Sequence, residues 1–171
     1  AGHTPEAEAL WRRAGAVLPS EDDRFYAPAL ALAGRAMDQG DLDDARALLE
    51  RALRIRPGER EVLEQLRSLA LVVRDPDLGA RVLGALLEQP QDASERAELE
   101  LELGRTHALV AKRATAARDP IEAREASKRA HACFERAAKQ AQPSSEQQRR
   151  IARAALDVAI ERSAALERGE L

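Results

Sequence analysis

The sequence predicts an all-α protein built from antiparallel helical hairpins, and its composition is the first observation behind this prediction. Of the 171 residues, 36 are alanine and 23 are leucine, whereas only four are aromatic. Alanine, leucine, glutamate, arginine and glutamine favour helices, and the residues that favour strands are scarce. No run of valine and isoleucine could form buried strands. The composition therefore excludes a β-sandwich or barrel and argues against a doubly wound α/β fold.

Start and stop signals for helices are the second observation, and they define four helices in the first half of the chain. Thr4 caps the first helix, with proline in its first turn, and Pro19 ends it. Gly40 ends the second helix, because glycine tolerates the left-handed conformation found there. Asp41 opens the third and Pro57 closes it. The predicted ranges are 5–18, 27–39, 41–56 and 59–74, with an acidic turn at 20–23.

Four more helices follow from the same signals. Asp75 caps the fifth, Pro90 follows its end, and Asp92 or Ser94 starts the sixth. The cleanest start is Asp119-Pro120-Ile121-Glu122, with a capping aspartate, proline at the first position and glutamate at the third. The predicted ranges are 75–88, 92–117, 119–141 and 146–168. Connections of a few residues place neighbouring helices antiparallel, so we expect one domain over residues 1–171.

Charge and hydropathy exclude several classes of function. A net charge of −3 and a pI near 5.8 give no general attraction to nucleic acid or anionic lipid. No apolar stretch approaches the ~20 residues that a membrane-spanning helix needs. We therefore expect no nucleic acid and no direct membrane insertion. The single Cys133 excludes an intramolecular disulfide. The start Ala1-Gly2-His3 predicts a cloning remnant at 1–4 and a chain excised from a longer protein. We expect a cytoplasmic location, with a periplasmic or envelope-associated location as the alternative.

Residues 26–59 resemble one tetratricopeptide repeat at the full length of 34 residues. The matching positions are Leu32-Ala33 in the first helix, Gly40-Asp41 in the turn, Ala45, Leu49 and Ala52 in the second helix, and the closing Pro57. The resemblance implies a right-handed α-α superhelix, a solenoid of stacked helical hairpins. Small residues such as Ala45 and Ala52 allow the two helices of a hairpin to touch.

Two further segments resemble this family more loosely. Residues 60–93 carry Leu63, Leu66, Ala70, Ala80, Leu83 and Leu87, with Asp75-Pro76-Asp77 in place of Gly-Asp. Residues 95–143 carry Leu103-Gly104, Ala130, Phe134, Ala137 and Pro143. Gly104 and Ala130 are 26 positions apart, whereas the corresponding Ala33 and Ala45 of the clear repeat are 12 positions apart. We therefore expect a hairpin lengthened by about two turns in each helix, or a distantly related helical pair. Residues 146–168 resemble the capping helix of such solenoids.

The resemblance implies a concave groove that binds a peptide or helix of another protein. Its predicted partner-binding residues are Leu30, Gly34, Met37, Asp38, Glu61, Glu64, Ser68, Leu71, Val72 and Arg105. Leu30, Met37, Leu71 and Val72 would be apolar anchors, and Asp38, Glu61 and Glu64 an acidic rim that favours a basic or polar partner. The chain lacks the Lys and Asn that clamp chaperone tails in one subtype of the family. Self-association into a homodimer stays open.

The first interpretation is an adaptor or assembly module. One alternative is a regulatory or sensor domain of a kinase or transcription factor, which a polar pocket near Arg105 and His107 would favour. The other is a structural component of an envelope or secretion assembly, which an apolar patch over residues 109–134 would favour.

No motif indicates catalysis, a metal or a cofactor. The chain has no phosphate-binding glycine loop, no nucleophile elbow and no paired carboxylates in a plausible cleft, so we expect no enzyme. Antiparallel pairing brings His107 opposite His131, but a packed or surface pair is the better interpretation than a metal site. The acidic Glu98, Glu100 and Glu102 of the sixth helix and the basic seventh helix, with Arg136, predict solvated ion pairs rather than a nucleic-acid groove.

Overall fold

The computed structural model describes residues 5–19, 22–141 and 146–167, and within them it shows eight α-helices and no strand. The helices are α1 Pro5–Val17, α2 Tyr26–Gln39, α3 Leu42–Ile55, α4 Arg60–Val73, α5 Pro76–Leu87, α6 Ala93–Ala116, α7 Pro120–Gln140 and α8 Glu146–Glu167, with a short 3₁₀ turn at Asp23–Phe25 before α2. The predicted all-α fold is confirmed, and every helix lies where the start and stop signals predict it. The predicted remnant at 1–4 and part of the predicted turn at 20–23 lie outside the described residues.

The helices form two compact units, one within Ala1–Arg74 and the other within Asp75–Leu171. In the first unit α1 packs on α2, α2 on α3 and α3 on α4. In the second unit α5 packs on α6, α6 and α7 form a long hairpin, and α8 packs on both. The division falls inside the predicted repeat 60–93, whose two helices therefore belong to different units. The repeat at 60–93 and the single domain over 1–171 stay predictions.

Aspartate side chains cap the helices where the sequence predicts them. The carboxylates of Asp41, Asp75, Asp92 and Asp119 each accept a hydrogen bond from a backbone N–H two or three residues ahead. Each satisfies one of the N–H groups that a helix start leaves without a partner, which is typically worth about 1 kcal/mol. Pro76 and Pro120 stand in the first turns of α5 and α7.

The turns of the α2–α3 and α6–α7 hairpins have the same backbone geometry. At the first, the N–H of Asp41 donates to the carbonyl of Ala36 (2.8 Å), and Gly40 takes a φ of 79°. At the second, the N–H of Asp119 donates to the carbonyl of Ala114 (2.9 Å), and Arg118 takes a φ of 59°. The long hairpin therefore closes as the clear repeat does, with arginine in the strained position that glycine normally fills.

Small residues at the helix crossings hold each hairpin together. In the α2–α3 hairpin the family positions Leu32, Ala33, Ala45, Leu49 and Ala52 are all buried. In the α6–α7 hairpin Gly104 lies directly against the ring of Phe134, and a Cβ added at Gly104 would overlap that ring. Gly104 and Phe134 are two of the positions at which residues 95–143 resemble the family. α6 has 24 residues and α7 has 21, against 14 each in α2 and α3; the lengthened repeat and the distantly related helical pair both stay predictions.

Arg51 of α3 fixes the end of α1, and the sequence analysis did not identify this role. Its guanidinium donates to the carbonyls of Gly15 (2.6 Å), Leu18 (3.0 Å) and Pro19 (3.0 Å) and stacks over the Phe25 ring at 4.1 Å. Carbonyls at a helix C-terminus lack intrahelical partners and carry partial negative charge, so a guanidinium is well suited to satisfy them. This contact joins α1, the 3₁₀ turn and α3 into one unit.

We expect Arg118→Gly to stabilise the protein. Glycine removes the steric cost of an arginine in the left-handed conformation. Glycine also gives the unfolded chain more conformational entropy, which offsets part of this gain. The free energy of unfolding should therefore rise by about 0.5–1 kcal/mol. Urea unfolding followed by circular dichroism measures the change. Arg118→Ala is the control, because it removes the same side chain but keeps the strain. A gain in Arg118→Ala equal to that in Arg118→Gly would show that the backbone conformation is not the cause.

Gly104→Ala should lower the free energy of unfolding by about 1–3 kcal/mol, because the added methyl group must displace the buried Phe134 ring. Gly84→Ala is the matched control, since a Cβ there meets no atom within 4 Å and alanine favours the helix. In a double-mutant cycle, Phe134→Leu should recover part of the loss caused by Gly104→Ala. Strictly additive effects would contradict direct contact between the two residues.

Candidate partner-binding surface

The predicted partner-binding residues of the first unit lie on one face of α2 and one face of α4. Their spacing of three or four residues places each set on a single side of its helix. On α2, Leu30, Gly34 and Met37 are half-buried and Asp38 is exposed. The face of α4 carries Glu61, Glu64, Ser68, Leu71 and Val72, of which only Glu64 is half-buried. The structure thus leaves all nine residues accessible to solvent at least in part.

The C-terminal end of α4 exposes three consecutive apolar side chains. Leu71 is 66% exposed, Val72 59% and Val73 37%, whereas Leu69 and Ala70 immediately before them are buried. A helix that packs on one side normally presents polar residues on the other. The sequence analysis predicted Leu71 and Val72 as anchors but did not include Val73. We call these three residues the α4 patch.

The acidic character of this surface comes from Asp38 and Glu61, which are exposed. Glu64 is different, because Arg60 lies 3.6 Å and Arg67 3.1 Å from its carboxylate oxygens. These pairs on one helix are worth only a few tenths of a kcal/mol each, yet they offset the negative charge of Glu64. The acidic rim is therefore weaker at Glu64 than the sequence suggests.

Two small residues leave the surface open. A Cβ added at Gly34 meets no atom within 4 Å, so the face of α2 has free space at that point. The hydroxyl of Ser68 donates to the carbonyl of Glu64 one turn earlier (3.0 Å), which satisfies it within α4. A larger side chain at Gly34 would therefore enter the space above the helix rather than the protein interior.

Arg105, the tenth predicted residue, belongs to the second unit and is exposed on α6. Leu109, 59% exposed, and Lys112 follow it at helical spacing on the same face. His107 is half-buried, and its burial together with the nearby Arg129 and Arg136 lowers its pKa. Arg105 is exposed to solvent, and the sensor interpretation, which a polar pocket near Arg105 and His107 would favour, stays a prediction.

The contact between the acidic α6 and the basic α7 differs from the predicted solvated pairs. Glu100 is buried, and the Nε of Arg136 donates to one of its oxygens at 2.7 Å. Its other carboxylate oxygen is buried and has no hydrogen-bond partner among the described residues. Glu98 instead pairs with Arg150 of α8 at 3.1 Å. The prediction of a solvated pair was wrong for Glu100, because its side chain is buried against Arg136 of α7 rather than in solvent.

The features that could carry chemistry do not combine into a reactive site in the described part of the chain. Burial raises the pKa of the Cys133 thiol to about 11, which keeps it protonated. His131 is exposed and lies 3.4 Å from Glu135 on its own helix. Among the residues that the structure describes, no group of His, Cys, Asp and Glu could hold a metal ion. None of the helices in these ranges has the length and apolar composition needed to cross a membrane.

The sequence analysis did not identify a cleft in the second unit, between α6, α7 and α8. Its lining includes Ala108, Ala111, Lys112, Arg118 and Arg162. Alanines and arginines at these positions resemble those on any other helix surface of this chain. Only the packing of α8 brings them together, so no signal in the sequence pointed to them.

Comparison with known proteins supports the assignment made from the clear repeat. Residues 27–66 match the family model described as Tetratricopeptide repeat. This segment covers α2 from its second residue, all of α3 and the first half of α4. No curated protein and no solved structure matches the chain. With its hairpin geometry and buried family positions, the segment 27–66 is similar to a tetratricopeptide repeat, within an all-α chain.

Proposed function

We propose that the chain is a protein-interaction module and that a segment of a partner protein binds along the exposed faces of α2 and α4. Tetratricopeptide repeats generally mediate contacts between proteins. The contact residues in this proposal are Leu30, Gly34, Met37, Asp38, Glu61, Glu64, Ser68, Leu71 and Val72. Arg105 is left out of this surface because it belongs to the second unit.

The single observation that carries the proposal is the α4 patch. Exposure of three adjacent apolar side chains to water at a helix end is unfavourable, and covering them lowers the free energy. Burial of ~150 Å² of apolar area on a partner would contribute about 4 kcal/mol at 25 cal/mol per Å² before the costs of association. The α4 patch can therefore supply anchoring contacts to a partner segment.

Charge sets the kind of partner that fits. Asp38 and Glu61 are exposed on the same faces as the apolar residues, and Glu64 is offset by its arginines. Complementary charge mainly speeds encounter and selects among partners, whereas apolar contacts supply most of the affinity. The partner segment in this proposal carries apolar residues with lysine or arginine beside them.

Selection of peptides from a random library on the purified chain tests the proposal, with Leu71→Glu as the disrupting variant. Peptides that carry lysine or arginine beside apolar residues should be enriched. Leu71→Glu should weaken their binding at least about tenfold, because it replaces an apolar anchor with a carboxylate that would lose its hydration against the apolar side chains of the peptide. Leu156→Glu is the matched control, because Leu156 is a leucine of similar exposure on α8 of the second unit. Fluorescence anisotropy with labelled peptides measures both dissociation constants.

A second pair of variants separates loss of binding from loss of folding. Gly34→Trp should block the peptides, and Gly84→Trp should not, although a Cβ at either glycine enters space with no atom within 4 Å. Circular dichroism should report the same helix content for both variants. Failure to enrich peptides that carry lysine or arginine beside apolar residues, or equal affinity of the selected peptides for both variants in either pair, would contradict the proposal.

A further inference from the structure

The cleft of the second unit has a volume of about 1020 Å³ and lies beside the lengthened part of the α6–α7 hairpin. The first half of α8 closes the hairpin, since Ile151 and Ala154 pack in one cluster with Leu101 and Phe134. Beyond this cluster the walls carry small side chains, including Ala108, Ala111 and Ala165. The extra turns of α6 and α7 therefore extend past the region that α8 packs tightly.

The size of the cleft corresponds to a short piece of helix. Along α6 its lining runs from Ala108 to Ala116, which is about 12 Å at 1.5 Å per residue. An α-helix of that length with a diameter of 10–12 Å occupies roughly 900–1,400 Å³, similar to the volume of the cleft. Alanine walls leave room for the larger apolar side chains of an incoming helix.

The charges at the cleft are mostly positive. Of the residues that the structure describes, Lys112, Arg118 and Arg162 line it together with the acidic Glu161, which lies 3.5 Å from Lys112. The α6 face next to the cleft adds Arg105 and the exposed Leu109. An occupant with carboxylates beside its apolar stripe matches this pattern, whereas a basic one does not.

A second copy of this chain offers a poor match through the exposed apolar face of α8. Leu156 and Ile160 of α8 form an apolar stripe, and both are more than half exposed. Arg149 and Arg153 precede this stripe at helical spacing on the same side. Docking it into the cleft would bring arginines toward Arg118 and Arg162, so charge argues against this face of a second copy as the occupant.

We propose that the α6–α7–α8 cleft binds an acidic amphipathic helix of about two turns from a partner protein. This site lies wholly in the second unit and does not depend on the surface proposed for α2 and α4. Its occupant has the opposite charge, so the two sites select different partner segments. Arg118 and Arg162 bind the carboxylates of the incoming helix, and the alanine walls receive its apolar stripe.

The probe is a 16-residue peptide with leucine along one helical face and glutamate on both sides of it, acetylated and amidated at its ends. Its partner peptide has lysine in place of every glutamate. The glutamate peptide should bind the full chain at least tenfold more tightly than the lysine peptide. Arg162→Glu should weaken binding of the glutamate peptide about tenfold or more. Arg153→Glu makes the same charge change on the outer side of α8, and its affinity for the peptide should stay within about twofold of that of the unaltered chain.

Filling the cleft gives an independent readout. Ala164→Trp places an indole at the cleft wall and should abolish binding of the glutamate peptide, while Leu156→Trp on the opposite side of α8 should not change it. Equal binding of the two peptides, equal effects of Arg162→Glu and Arg153→Glu, or binding that survives Ala164→Trp would overturn the proposal. A concentration-dependent dimer that Ala164→Trp dissociates would overturn it as well, in favour of a second copy.

Discussion

Close approach between helices at small residues is the constraint on which the rest of the structure depends. Only four residues are aromatic, and the buried residues are mainly leucine and alanine, so the small residues set how closely the helices approach. Ala33, Ala45 and Ala52 in the clear repeat, and Gly104 and Ala130 in the long hairpin, keep the helix axes near enough for backbone and side chain to touch. Interiors packed in this way respond strongly to a single added methyl group. The Gly104–Phe134 contact is the sharpest case in this chain.

Helix positions could be predicted from the sequence because their signals are local. The capping aspartates, the first-turn prolines and Gly40 each act within a few residues, and each recurs in the structure where it was expected. The family pattern also depends on short spacings, so it was recognised at 26–59, whereas the contact of Gly104 with Phe134 joins two helices and appears only in the structure. The same local logic missed Arg118 as a stand-in for glycine, because an arginine gives no sign of a left-handed backbone.

The surface features depend on packing between distant residues, which the sequence did not reveal. Helical spacing placed Leu71 and Val72 on an outer face, and their high exposure agrees with that. The same spacing placed Glu100 in solvent, but the structure buries it against Arg136. The carbonyl contacts of Arg51 and the basic cleft join residues more than 30 positions apart. Features of this kind require the arrangement of whole helices, which residue patterns alone do not fix.

The two proposed sites give the chain surfaces of different chemistry, one apolar and acidic on α2 and α4, the other alanine-walled and basic at α8. The central claim is that the first of these binds a partner segment. The most direct measurement is a nuclear magnetic resonance titration of the full chain with a selected basic apolar peptide. The account predicts saturable shifts of the backbone amides on the exposed faces of α2 and α4, with the largest near Gly34 and Leu71. Shifts confined to α3 or to the second unit, with α2 and α4 unchanged, would contradict it.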